Sequence, residues 1–193
     1  MGRVLGEDFA LQLAAARDGD DAGFAVLWRA LQPPLLRYLI VAAGDAAEDL
    51  ASETWMRVAR DLGSFTGDER GFRSWVFTIA RHRLLDWRRR EGRRRAFSRP
   101  LEPLDRWAAT DPAGEALERL ATDAALRFIA RLPRDQAEVV TLRAVAGLDV
   151  AAVARVLDKR PGAVRVLAHR GLHRLAELLA VDAEDPSTGV VTP

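Results

Sequence analysis

Apolar residues recur three and four positions apart along nearly the whole chain, and that spacing constrains the fold more than any other feature. Alternation with period two is scarce, while Ala, Leu and Arg, all good helix formers, dominate. An all-α protein follows. Of the 193 residues, 49% are hydrophobic, enough to bury a core and too many for a disordered chain.

Turn signals divide the periodic stretches. A helix is expected from Glu7 to Arg17, and Asp20-Asp21 can cap a second that carries Phe24, Leu27, Trp28 and Leu31. Pro33-Pro34 is expected to interrupt it. Leu35, Leu36, Tyr38, Leu39 and Ile40 form the next apolar face, which ends at Gly44. Asp45 to Leu62 reads as a third helix with Leu50, Trp55, Met56, Val58 and Ala59 inward and Glu48, Asp49, Ser52 and Glu53 in its first half. Acid near a helix N-terminus suits the dipole, yet Asp49 and Glu53, four apart, repel, so a basic partner surface is plausible. A glycine-punctuated loop, Gly63 to Gly71, holds Phe65 among polar neighbours.

From Phe72 the chain combines Phe72, Trp75, Phe77 and Trp87 with a dense run of arginines. Lys159 is the only lysine in the chain, which suggests codon bias, so clustering carries more weight than arginine content. Between Arg81 and Arg95 eight Arg stand against Asp86 and Glu91, whereas the whole chain has a net charge of +1. Aromatic faces for unpaired bases beside guanidinium groups for phosphates suit single-stranded or melted nucleic acid. Helical spacing also puts part of the aromatic set in a core.

Between Gly92 and Gly114 the periodicity dissolves, which suggests a flexible linker joining two small helical domains, residues 1–92 and 115–180, with 93–114 between them. After a helix from Glu115 to Arg131, Leu132-Pro133 restarts the chain in a helix from about Arg134 to Ala146. Asp149 then caps Val150 to Leu157, Asp158-Lys-Arg makes a turn, and Pro161 opens a helix to about Leu179. This is the length pattern of a helix-turn-helix. Ala152, Val153, Val156 and Leu157 face Val164, Leu167 and Ala168, which leaves Lys159, Arg160, Arg165, His169, Arg170 and Arg174 outward, as a reading helix requires. Residues 181–193 read as a disordered tail.

Zero cysteines and three histidines exclude disulfides and thiolate sites and leave little for acid–base catalysis, so no enzymatic activity is expected. His169, His173 and Glu177 share a helix face at metal-ligand spacing; solvated or phosphate-contacting roles fit them better, and neither metal nor cofactor is expected. No apolar run is long enough to span a bilayer, and the first residues lack a secretory signal, which points to a cytoplasmic protein without direct membrane insertion.

Three ordered motifs resemble the extracytoplasmic-function (ECF) sigma factors of bacterial RNA polymerase. They are Asp45-Ala-Ala-Glu-Asp-Leu-Ala-Ser-Glu-Thr-Trp-Met-Arg-Val, then Phe72-Arg-Ser-Trp-Val-Phe-Thr-Ile-Ala-Arg, then Leu132-Pro through Gly162-Ala-Val-Arg-Val-Leu-Ala-His-Arg. The resemblance implies a dissociable specificity subunit that carries core RNA polymerase to promoter DNA, with a second and a fourth sigma domain. Glu48, Asp49, Glu53 and Arg57 would then dock on the clamp helices of the largest polymerase subunit, and the fourth domain would meet the flap region. Phe65 and Asp68 in the loop, with Arg73, Arg81, His82, Asp86 and Arg89 in the following helix, would contact the minus-ten element and hold a base flipped from the melted strand. Arg160, Arg165, His169 and Arg170 would read the minus-thirty-five element. Val166 and Leu167 stand where many members carry a small polar and a basic residue, so base readout there would shift or weaken. By the same resemblance the linker would thread the polymerase channels, and an anti-sigma factor would hold the protein inactive.

Two other classes fit parts of the chain. A helix-turn-helix regulator that acts without replacing sigma explains the C-terminal third but not the acidic helix followed by an aromatic–arginine helix. A nuclease would need a metal-binding carboxylate or histidine cluster.

Overall fold

The computed structural model describes residues 8–97 and 115–184, and among them there are eight α-helices and no strand. They are α1 (Phe9–Arg17), α2 (Asp21–Ala43), α3 (Ala47–Asp61), α4 (Glu69–Phe97), α5 (Glu115–Ala130), α6 (Arg134–Ala144), α7 (Val150–Leu157) and α8 (Pro161–Glu184). The all-α class is confirmed, as two helical regions, α1–α4 and α5–α8. Helices α4 and α8 run past the boundaries expected for the linker and the tail; residues 98–114 and 185–193, where the rest of those expectations fall, lie outside the described residues.

Asp20 caps α2 as anticipated, its carboxylate accepting from the Ala22 and Gly23 amides at 3.0 and 3.3 Å. Pro33 and Pro34 do not interrupt that helix: it is continuous from Asp21 to Ala43. The expected break fails because Leu27, Leu31, Leu35 and Leu39 line one face and all are buried. An interior proline costs about 3 kcal/mol, whereas each buried leucine contributes about 1.5–3 kcal/mol, so four leucines cover two prolines. Gly44, with φ of 58°, then ends the helix, a conformation that disfavours other residues.

The principal core gathers Phe9 and Leu13 of α1, the α2 leucines and Tyr38, Leu50, Trp55 and Val58 of α3, and Phe72, Val76, Phe77, Ala80 and Leu84 of α4. It continues without a break into Val139 and Leu142 of α6, Val153, Val156 and Leu157 of α7, and Val164 of α8. A smaller cluster joins Leu126, Ile129, Leu132, Ala137 and Val140, with Val41, Leu175 and Leu178 against it. The two regions therefore share apolar surface, chiefly between α2–α4 and α6–α7. Met56 and Ala59 are exposed rather than inward: the buried face of α3 runs through Leu50, Ala51, Thr54, Trp55 and Val58, and each of the two misassigned residues lies one step around the helix from it.

Candidate nucleic-acid and protein interfaces

Three surfaces carry the candidate residues. On α3, Glu48 and Asp49 are exposed, and among the described residues neither forms an ion pair. Glu53 is half-buried and meets Arg90 of α4 at 3.9 Å. Arg57 pairs with Asp61 one turn on. Trp55 fixes the helix from beneath, its indole N–H donating to Gln32 Oε1 at 2.7 Å while its ring meets Phe24 edge-on.

The loop before α4 is more enclosed than its composition suggests. Phe65 is buried, with ring centroids 5.3 Å from Phe72 and 5.1 Å from Trp75. Three aromatics thus close on one another and withdraw the ring of this minus-ten candidate from solvent. Asp68 has a local task, because its Oδ1 accepts from the Gly71 amide at 2.8 Å and so caps α4. The loop, α1 and the turn between α6 and α7 line a cleft of about 1010 Å³, where Arg17, Arg70, Arg73, Arg143 and Arg155 stand with Asp68, Glu69 and Asp149.

Along α4, most of the arginines are already answered. Arg73 lies 3.7 Å from Glu69 and donates to the Ala146 carbonyl at 3.3 Å; desolvation lowers its pKa. Arg81 Nε donates to Glu138 Oε2 at 3.2 Å, and Arg88 Nη1 to Glu138 Oε1 at 2.5 Å. Arg134 stands 3.5 Å from the same carboxylate. Arg88 also donates to the Ala42 carbonyl at 2.9 Å. Burial raises the Glu138 pKa, but hydrogen bonds and charges from Arg88 and Arg81 outweigh it and hold the carboxyl below its ordinary value. Asp86 pairs with Arg89 and lies 3.8 Å from Arg83; the Arg89 hydrogen bond lowers its pKa. His82 is exposed.

Glu138, Arg88 and Arg134 did not emerge from sequence reasoning. A signal existed, since Ala137-Glu138-Val139-Val140 sets a carboxylate inside an apolar run, and such a carboxylate requires a paired charge. Beside this cluster lies a cavity of about 290 Å³. The Tyr38 hydroxyl, at its wall, is buried without a hydrogen-bond partner, and its pKa is pushed up mainly by that burial.

Helices α7 and α8 form the anticipated pair. Asp149 caps α7 by accepting from the Ala152 amide at 2.7 Å, which holds its carboxyl below the usual range. Asp158 turns the chain in the left-handed conformation at φ 50°. Arg160, Arg165, His169 and Arg170 are all exposed, as is Val166, while Leu167 is half-buried against the core. Lys159 is held by Asp135 at 3.1 Å. The outward face is available because α8 sits close on α6: a Cβ at Gly171 would stand 2.7 Å from Val140 Cγ2. His173 pairs with Glu177 at 3.1 Å, and the described residues hold no group of three side chains suited to a metal ion. No described helix is long and apolar enough to cross a membrane.

Two family models match, Sigma-70 region 2 over residues 27–94 and Sigma-70 region 4 over residues 122–175. The chain is 37% identical over 171 residues to the ECF RNA polymerase sigma factor BldN of Streptomyces coelicolor, covering 87% of this chain and 64% of that protein. It is 31% identical over 182 residues to the ECF RNA polymerase sigma factor SigD of Mycobacterium tuberculosis, covering 90% of this chain and 85% of that one. In fold it is similar to the sigma factor RpoE of Bartonella quintana, solved in complex with the anti-sigma factor NepR, with a TM-score of 0.60 at 23% identity over 91% of this chain and 96% of that chain.

Proposed function

The chain belongs to the ECF RNA polymerase sigma factors, and from that membership we propose how its surfaces divide the work of starting transcription. It joins core RNA polymerase in the cytoplasm, recognises the minus-ten and minus-thirty-five promoter elements, and supports melting with no chemical step of its own. The exposed carboxylates of Glu48 and Asp49, with no basic side chain answering them among the described residues, carry the assignment of α3 to the polymerase clamp helices. Glu53 and Arg57 flank that patch, and the fourth-domain helices meet the flap region.

The minus-ten strand lies along α4, with Arg73, Arg81, His82, Asp86 and Arg89 toward it. Phe65 and Asp68 shape the loop, the first by packing and the second by capping, and so contribute to the pocket for a flipped base. The minus-thirty-five duplex is read by Arg160, Arg165, His169 and Arg170, each exposed. The units 1–92 and 115–180 act as separate modules once polymerase binds. An anti-sigma factor covering the acidic face of α3 is the fitting antagonist, since it would compete with polymerase for the same charges.

The double substitution Asp49→Arg with Glu53→Arg tests the docking surface. Core binding in a pull-down should disappear while the helical circular dichroism is kept; wild-type retention would remove α3 from the interface. Run-off transcription with core enzyme then asks whether initiation depends on the chain.

A further inference from the structure

We propose that the packed arrangement is a closed form in which Glu138 stands in for a DNA phosphate, holding Arg81 and Arg88 until promoter DNA displaces it. The proposal rests on the assignment of α4 to the minus-ten strand.

Arg73, Arg81 and Arg88 recur at spacings of eight and seven, which puts them on one face of α4. Each ends on the same neighbour: Arg81 and Arg88 on Glu138 of α6, and Arg73 on the carbonyl of Ala146 in the turn after α6. At 1.5 Å per residue the row spans about 22 Å, enough to track several consecutive phosphates of one strand. The C-terminal region therefore covers the Arg73, Arg81 and Arg88 part of the surface assigned to melted DNA, while His82 and Arg89 stay exposed. Both ligands offer the same chemistry, a charge-assisted hydrogen bond from guanidinium to an anionic oxygen.

The junction is also poorly satisfied, which favours exchange. Three guanidinium groups converge on one carboxylate, leaving surplus positive charge that Glu138 alone does not neutralise. The Tyr38 hydroxyl next to it is buried with no partner. A buried ion pair adds little net stability over an apolar contact, but removing one partner leaves uncompensated buried charge, so the apolar surface shared by α4 and α7 keeps the regions closed only while Glu138 answers Arg81 and Arg88. Opening returns Arg81 and Arg88 to water or to DNA, while Arg134, on α6 one turn from Glu138, stays beside the carboxylate.

The absence of cysteine allows clean labelling of the full chain at Leu11→Cys and Leu179→Cys, both exposed positions, with a donor–acceptor dye pair. Glu138→Gln should lower energy transfer and make the free protein bind a short dye-labelled single-stranded DNA of mixed sequence about tenfold more tightly, the scale of one close charge pair. The same DNA titrated into the labelled parent should lower transfer as it binds. Parental transfer and affinity in a folded Glu138→Gln chain would overturn the proposal. So would DNA binding to the parent with transfer unchanged, a readout that needs no variant to fold. Core pull-down separates the two layers: a parent that never binds core defeats the sigma assignment of these surfaces, whereas normal core binding with an unmoved Glu138→Gln chain defeats the lock alone.

Discussion

Helices α4 and α8 are both arginine-rich, but their charges are met differently. On α4, Arg73, Arg81, Arg83, Arg88, Arg89 and Arg90 each lie within an ion pair to Glu69, Glu138, Asp86 or Glu53. On α8, Arg165 and Arg170 are exposed, and no described acid pairs with them. The side chains of Arg81 and Arg88 are 15% and 16% exposed, so salt screens their pairs less than it screens the open charges of α8. The same residue type thus has two thermodynamic positions. A guanidinium on α8 gains a full new partner when DNA arrives; one on α4 exchanges a partner it already holds.

The largest perturbation targets the platform under the open helix. Gly171→Val would drive a branched side chain into Val140 and should cost about 3 kcal/mol by overpacking, read as a lower urea midpoint; an unchanged midpoint would mean that α8 does not need its close seat on α6. Next, Arg165→Ala should weaken duplex promoter binding by the holoenzyme by about 1–3 kcal/mol and relax preference at one upstream position, while the Tm stays put. Footprints identical to the parent would move the reading surface elsewhere. Asp68→Ala should lower stability by about 1 kcal/mol through loss of the α4 cap, seen as faster amide exchange in the first turn of α4 with α8 unaffected.

The smallest effect is acid sensitivity. Glu138 is depressed in the folded state, so its stabilising contribution is complete above its unfolded pKa near 4.5. That contribution is lost as pH falls through the lower folded value. Acidification should loosen the α4–α6 junction, and Glu138→Gln should flatten that part of the stability–pH curve. A curve of parental slope would show that the carboxylate does not sense the junction.

What was legible followed from local rules. Helix α7 was bounded to the residue because Asp149 and Asp158 mark its ends, and the outward set on α8 followed from apolar spacing. Local rules failed where distant packing prevailed. Two prolines in sequence suggest a break, but the leucines that hold α2 together are partnered by α1, α3 and α4. Phe65 has polar neighbours in the chain and aromatic ones in space. The pairing of Glu138 with Arg81 and Arg88 joins residues 57 and 50 positions apart, and no periodicity reports that. Which arginines are open and which are occupied was the part of the site beyond the reach of sequence.

The proline pair has one more consequence. Neither Pro33 nor Pro34 has an amide hydrogen, so the carbonyls of Arg29 and Ala30 lack their usual helical donors. On one side of this gap Phe24 and Gln32 bind the helix to Trp55 of α3; on the other Tyr38 meets Phe77 of α4 and the Ala42 carbonyl meets Arg88. The two halves of one geometrically continuous helix are thus tied to different neighbours, and their amide protons should exchange at separate rates on either side of a dipeptide that itself has none to exchange.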